Sequence, residues 1–322
     1  MTTAVFDYDA VIFRSACAVE KKKIKVVNKK NNEELIFKNR TELYGNWRKK
    51  EGGWLAKQEG LTLEDLTIED FSELEPVEYA LAIAKSIVNN SIQAVGAFDY
   101  HGYVGGKHNF RKEVCTLLPY KEQRKDLIPP AYKDEVKDYL IKYHGARYAK
   151  GIESDDAIVS DLYANKDWYG IVAEKDFYGC EGNYYNFVKE ELFTVKGLGE
   201  LYRDEKGTVR GIGRIWKYFQ VCYGDDSDGY FAACFSDKTN GEVSVYNRLK
   251  DCKTDREAFL AMKEHFQYLY PEPKVITNWR EDTFEIDWLY VMQECFTMAH
   301  MLRFENDTVN IKEVFNKMQI DV

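Results

Sequence analysis

The sequence predicts an α/β protein whose mostly parallel central sheet is flanked by helices and followed by a helical C-terminal part. Three observations carry this. Apolar runs at residues 4–6, 92–98 and 169–173 each end on a carboxylate, Asp7, Asp99 and Glu174. Such runs suit neighbouring parallel strands buried on both faces. Between the first two, Pro76 opens a segment with Tyr79, Ala82, Ile83, Ile87 and Val88 at helical spacing, which makes a strand, helix, strand unit. Beyond Gly224 the pattern is largely helical, at residues 256–269 and 287–303. A chain of 322 residues with 45% hydrophobic content can bury a substantial core in one or two domains.

The remaining elements follow in order. Residues 10–20 read as a helix, and residues 23–27 and 34–38 flank Lys29-Lys30-Asn31-Asn32 as a β-hairpin. Asn39-Arg40-Thr41-Glu42 begins a short helix, and the acidic residues 61–75 read as surface structure. From residue 100 to 131 the chain is rich in glycine, aromatic and basic residues, and Pro119, Pro129 and Pro130 break regular structure. It reads as a loop or arch. Residues 132–144 form a helix, and Ser154 or Asp155 caps another that continues to Tyr163. Residues 193–212 read as a glycine-containing hairpin and 216–221 as a helix entering Gly224-Asp225. The expected division is a core at 1–221 and a helical part at 222–322 packed on it.

No stretch reaches the roughly 18 apolar residues of a membrane helix, and Met1-Thr2-Thr3 leads directly into a strand. The expectation is a cytoplasmic protein with no membrane partner. Seven scattered cysteines without a Cys-x-x-Cys pair argue against a zinc site and a disulfide framework. A net charge of −9 disfavours a nucleic-acid partner. Its distribution matters more than its total, because cations bound at an acidic cluster would offset much of it.

That cluster is the main functional signal. Ligands of open α/β sheets sit beyond the carboxyl ends of the strands, so three strand-end acids point to one anionic pocket. Glu153-Ser154-Asp155-Asp156 brings three acids to a helix start, with Glu153 and Asp156 on one face. Their repulsion in a dry cleft is relieved by hard cations. Glu174-Lys175-Asp176 adds two acids, and Gly224-Asp225-Asp226-Ser227-Asp228-Gly229 sets Asp225 and Asp228 three apart. The latter lacks the spacing of an EF-hand. The five histidines form neither a metal spacing nor a nucleophile constellation. Tyr100, Tyr103, Phe110 and Tyr120 lie among Arg111, Lys112, Lys121 and Arg124, and stacking faces interleaved with cations suit single-stranded or frayed nucleic acid.

In order, Phe6-Asp7-x-Asp9, Phe98-Asp99, Phe110-Arg111-Lys112, Tyr120-Lys121-x-x-Arg124, Glu153-x-Asp155-Asp156, Lys175-Asp176-Phe177 and Gly224-Asp225-x-x-Asp228-Gly229 resemble the flap-endonuclease family. The bacteriophage 5′ to 3′ exonuclease branch is the nearest in pattern, over roughly residues 3 to 305, with Met301-Leu302-Arg303-Phe304 included. The resemblance implies a PIN-like nuclease core, a basic arch at about 100–131 and a helix-three-turn-helix-like DNA-binding element. It implies two Mg²⁺ ions, with Mn²⁺ able to substitute. Asp7, Asp99, Glu153 and Asp155 would hold the first, Asp156, Asp176, Asp225 and Asp228 the second, and Glu174 would lie between them. Lys121 and Arg124 would act on the scissile phosphate, with Arg111, Lys112, Tyr120 and Lys125 binding DNA. Glu174 stands where the family has aspartate, and Tyr230 to Asp237 replaces its glycine-rich hairpin. The hairpin at residues 23–38 is unmatched.

The implied activity is metal-dependent hydrolysis of DNA phosphodiesters near 5′ ends, in duplex or flap, extending to RNA in RNA-DNA hybrids. The setting would be phage DNA replication or recombination in the host cytoplasm. One rival is a haloacid-dehalogenase-type phosphatase, suggested by Asp7-x-Asp9 after a first strand, but that family needs a Ser or Thr ending the second strand, where Asp99 is expected. The other is a DNA-end-binding protein that no longer cleaves, which the nearly intact acid set disfavours.

Overall fold

The computed structural model describes residues 2–46 and 48–322. It divides into two compact units, one of Met1–Val11, Ile87–Ile128 and Tyr139–Val322, the other of Ile12–Ser86 and Pro129–Asp138.

The first unit is built on a six-stranded sheet. Its central strand, Thr3–Asp7, is buried along its whole length. It pairs in parallel with Asp99–Val104 on one side and Tyr169–Val172 on the other. Ala146–Tyr148 and Gly182–Asn186 extend the sheet in parallel, and Glu191–Val195 closes one edge antiparallel. Five strands therefore share one direction, and their carboxyl ends form one rim. The helix Ser154–Ala164 packs across four of them, burying Ile158, Val159 and Leu162 against Val5, Val172 and Tyr184. The expected mostly parallel sheet with flanking helices is the one observed.

The same unit contains the helical C-terminal part. Arg214–Tyr223, Glu242–Leu249, Asp255–Leu269, Trp288–Ala299 and Ile311–Lys317 surround a core that includes Phe219, Met262, Phe266, Met292 and Phe315. Asp255 ties two of these helices by accepting from Arg214 Nε at 2.9 Å and Tyr218 Oη at 2.8 Å. The expected boundary at 221/222 falls inside Arg214–Tyr223, with both flanks in one compact unit. The expected hairpin is Glu200–Arg203 with Val209–Ile212, and a second, Lys274–Thr277 with Thr283–Ile286, was not anticipated.

One expected strand is absent. Residues 92–95 finish the helix Val77–Val95, Gly96 turns at φ +62°, and Phe98 is exposed. Val88, Ser91, Ile92 and Val95 continue the inward face at helical spacing, and a short apolar run does not distinguish that from a buried strand. The strand begins at Asp99 instead.

The second unit holds a three-stranded antiparallel sheet in the order Glu33–Phe37, Glu20–Asn28, Leu66–Leu74. The expected hairpin is present, and the stretch read as surface structure supplies its third strand. Ile24, Val26, Phe37, Leu43 and Leu66 form its core. Lys21, Lys23 and Lys25 pair with Glu75, Glu73 and Glu34 on the other face, contacts of small individual value at this exposure. Among the described residues no helix is long and apolar enough to cross a membrane.

Near the C-terminus the buried Asp307 accepts from His300 Nε2 at 2.9 Å and from the Arg303 Nε and Nη2 at 2.8 and 2.9 Å. Burial alone would raise its carboxyl, but Arg303 and His300 hold it well below the usual carboxylate range. A depressed carboxyl stabilises the fold above its unfolded pKa, near 4, and that gain disappears as pH falls through the folded value. Asp307→Asn should therefore cost about 1–3 kcal/mol at pH 7. Urea denaturation across pH should show the gap from wild type closing below about pH 4.

Candidate metal-binding acid cleft

The sheet rim assembles the site. Asp7 is the last residue of the central strand and is 2% exposed. The chain turns at once into the helix Tyr8–Ala18, whose Ala10 N–H donates back to Asp7 Oδ1 at 3.3 Å. Glu174 lies two residues past Tyr169–Val172. The next strand leaves the rim at Gly105, whose N–H donates to Asp9 Oδ2 at 2.7 Å, and the Ser154 hydroxyl donates to the same oxygen at 3.0 Å. A Cβ on Gly105 would stand 2.9 Å from that oxygen, so a larger residue there would have to shift the Asp9 carboxylate. Asp9 thus pins the loop and the start of Ser154–Ala164 to the rim.

Two adjoining cavities open there. Asp7, Asp9, Glu153, Asp155 and Glu174 line one, together with Lys112, Lys121 and Arg124. Glu153, Asp155, Glu174, Asp176, Asp225 and Asp228 line the other, so that Glu153, Asp155 and Glu174 belong to both. Of the nine acids expected at a metal site, seven face this cleft.

Their charges are not equally balanced. Glu153 and Asp225 have partners: burial alone would raise both, yet Lys121 and Arg111 lower Glu153, and Lys175, 2.6 Å away, lowers Asp225. Burial followed by Asp9 and Glu174 pushes Asp7 well up, and burial followed by Asp7, Glu174 and Glu153 does the same to Asp155. Lys121 opposes the rise at Asp155 without reversing it. Burial and Asp225 push Asp176 up to about 7 against Lys175 and Gln220. Glu174 and Asp228 are also raised, chiefly by burial, with Lys121 opposing.

This donor set fits a hard divalent cation, since carboxylates forced together in a dry cleft lack counter-charge. Among the described residues no three ligating side chains already converge on one point. Lys121 instead bridges the acids, 2.5 Å from Glu153 and 3.3 Å from Asp228. It adopts φ +57° and its N–H donates to the Asp228 carbonyl at 3.1 Å, which fixes this end of the loop over the cleft. Arg124, 3.9 Å from Asp228, is more exposed.

Four expected site residues are placed differently. Asp99 opposes Thr3 whereas Asp7 opposes Tyr103. Asp99 is therefore at the amino edge, about 13 Å along the strand from the acid rim, where it accepts from the Tyr100 N–H. The strand that was to end on Asp99 ends at Val104 instead, so no Ser or Thr hydroxyl stands there either. Asp156 lies beneath the cleft. It takes both Arg111 Nη atoms at 2.6 and 2.9 Å, the Glu153 N–H at 3.0 Å and the Leu302 N–H at 2.9 Å. Arg111 is 2% exposed and also donates to the carbonyls of Met298 and His300, so it is not a surface group for DNA. Tyr120 is buried and donates to Glu153 at 2.8 Å. Lys112 faces the cleft and Lys125 is exposed beside Glu122. Asp9 and Gln220 were missed as site residues. The Asp7-x-Asp9 spacing was a signal for the first, and nothing local marked the second.

No protein-family model matches the chain, and no curated protein matches it. Solved structures do. The T5 D15 protein co-crystallised with metal ions is 14% identical, over 74% of this chain and 90% of that one, with a TM-score of 0.46. A lysine-to-alanine mutant of T5 5′-exonuclease is 12% identical over 74% and 90%, with a TM-score of 0.41. The zinc-bound T5 5′-exonuclease is 13% identical over 70% and 92%, with a TM-score of 0.38. Each is a protein to which this chain is similar.

The contrast between Asp155 and Asp156 is directly measurable. Asp156→Asn strips a charge from a buried, fully bonded pair and should cost about 3–5 kcal/mol. Asp155→Asn relieves repulsion, so without metal it should melt at or above the wild-type temperature. A carboxyl raised in the folded state holds its proton more tightly there, and stability falls as pH rises from the unfolded pKa to the folded one. In metal-free protein the contribution of the cleft should therefore fall between about pH 4 and 7, against the buried His265 and His300, whose lowering to about 4 adds stability over much of the same interval. Differential scanning calorimetry should show wild type losing stability relative to Asp176→Asn across that interval.

Proposed function

We propose that this protein is a metal-dependent 5′-nuclease that hydrolyses DNA phosphodiesters near 5′ ends, as a 5′ to 3′ exonuclease and flap endonuclease. The observation that carries the reading is Lys121 and Arg124 held on a loop over an acid cleft at the carboxyl rim of a parallel sheet. A cleft of carboxylates alone repels a phosphate. Cations opposite one another across it do not, and a phosphodiester between Lys121 and a cation held by the acids would be neutralised from both sides.

Asp7, Glu153, Asp155 and Glu174 would hold one Mg²⁺, and Asp176, Asp225 and Asp228 a second, with Mn²⁺ able to substitute. Asp99 and Asp156 belong to neither set: Asp99 opposes Thr3 at the amino edge, and Asp156 is bonded to Arg111. Bound there, the metals would lower the pKa of a water and stabilise charge on the phosphate oxygens. The chain's own residues do the rest. Asp9 and Ser154 fix the rim, Tyr120 and Lys121 orient Glu153, and Arg124 offers a second, more exposed cation to the substrate strand. DNA with duplex or flap 5′ ends is the proposed substrate, with RNA-DNA hybrid as an extension and phage DNA replication as the setting.

The test is cleavage of 5′-labelled duplex, flap and hybrid substrates in Mg²⁺. Asp155→Ala should lower the rate by roughly 100-fold or more, and Lys121→Ala by about 10²–10³ in kcat. Near wild-type cleavage by Asp155→Ala would sink the assignment.

A further inference from the structure

A cavity of about 320 Å³ lies behind the acid cleft, lined by Lys217, Arg214, Arg303, Tyr163, Cys180 and Met301 among others. Met301 also lines the cleft, so its side chain stands between the two spaces. Tyr163 is on the helix whose first turn carries Asp155. Tyr163 is eight positions further along, about 12 Å down the helix axis from Asp155.

Three cations meet there with unequal compensation. Arg214 is satisfied by Asp255 and Glu181. Arg303 gives its Nε and Nη2 to Asp307, and among the described residues its Nη1 has no hydrogen-bond acceptor. Lys217 has no acid partner among the described residues. Its ammonium is 5.3 Å from the Phe296 ring and 6.0 Å from the Tyr218 ring. Burial holds it below the usual lysine range, and Arg303 and Arg214 lower it further against the Cys180 thiol and Asp307. An ammonium in such company lacks an anion. The first backbone N–H groups of Arg214–Tyr223 are taken by the carbonyls of Gly197 and Leu198, so the side chains and not the helix end would supply the donors. Arg303 lies over the exposed Tyr163 ring at 5.8 Å, and the Phe304 ring is 6.1 Å from Tyr163. Lys166 also stands over the Tyr163 ring, at 4.2 Å, so a base stacking there would displace a mobile lysine, and cations beside an exposed aromatic ring match a phosphate attached to a base.

We infer that this cavity is a second, non-catalytic site for a phosphate group carried by a nucleotide, received by Lys217 and Arg303 with Tyr163 as the stacking face. It goes beyond the proposed nuclease site and shares no charged residue with it. The phosphate comes either from a free mononucleotide, as a nuclease would release, or from the backbone of bound DNA.

Calorimetric titration of thymidine 5′-monophosphate and of inorganic phosphate into metal-free protein, with parallel DNA binding across salt in chelator, separates the two sources. Lys217→Gln should weaken mononucleotide binding about 10-fold or more, with Lys217→Arg restoring it, if the ligand is free. If it is the backbone, the mononucleotide does not bind, and Lys217→Gln instead reduces the salt slope of DNA binding by about one. Equal melting temperatures of Lys217→Gln and wild type exclude a folding defect, and the same titrations on Asp155→Asn should be unchanged, keeping this site distinct from the catalytic reading. Mononucleotide binding that Lys217→Gln leaves intact, or no mononucleotide binding together with a DNA affinity and salt slope that it leaves unchanged, overturns the inference.

Discussion

The buried pair of Arg111 and Asp156 is the constraint on which the rest of the first unit depends. One guanidinium joins the loop after Asp99–Val104 to the first turn of Ser154–Ala164 and to the carbonyls that end Trp288–Ala299. Asp156 in turn fixes the Glu153 N–H and the Leu302 N–H. Removing two charges from water costs several kcal/mol per ion, which only complete hydrogen bonding offsets. Here both groups are saturated, so the arrangement admits one geometry. That geometry holds Glu153 and Asp155 at the rim while the sheet holds Asp7 and Glu174.

Above this saturated pair lies its electrostatic opposite. Asp7 and Asp155 are buried beside other carboxylates and remain raised, although Lys121, paired with Glu153 and Asp228, also lowers Asp155 and Glu174. The fold thereby stores unfavourable charge at one place and relieves it everywhere nearby. A site of this kind gains most from a bound divalent cation, and the stability lost to repulsion is the affinity available to it.

The loop carrying Lys121 is anchored at both ends by the same unit. Thr116 and Leu117 donate their N–H groups to Glu294 at 3.0 and 2.7 Å, and Lys121 donates to the Asp228 carbonyl. Leu117 and Tyr120 enter the core of the C-terminal helices. The basic residues over the cleft are therefore set by apolar burial and backbone bonds as well as by the acids they face.

How much of this was legible in the sequence depended on how local the signal was. The parallel strands, the helix start at Glu153, the acids of 153–156, 174–176 and 225–228, and the hairpin at residues 23–38 declare themselves through short-range pattern. Asp7, Asp155 and Glu174 could be assigned to one rim because strand direction follows from strand, helix, strand connectivity. What tertiary structure decided was which neighbour each charge has. Asp99 looked like a strand end because an apolar run reads alike in a helix and a strand, and only the register with Thr3 placed it at the wrong edge. Asp155 and Asp156 are adjacent and chemically alike, yet the helix turns one toward the cleft and the other onto Arg111, a residue 45 positions away. Residue types and spacing thus determined that an acid cluster exists. Long-range packing determined which acids are free to hold a cation, because the balance of buried charge is set by partners remote in sequence.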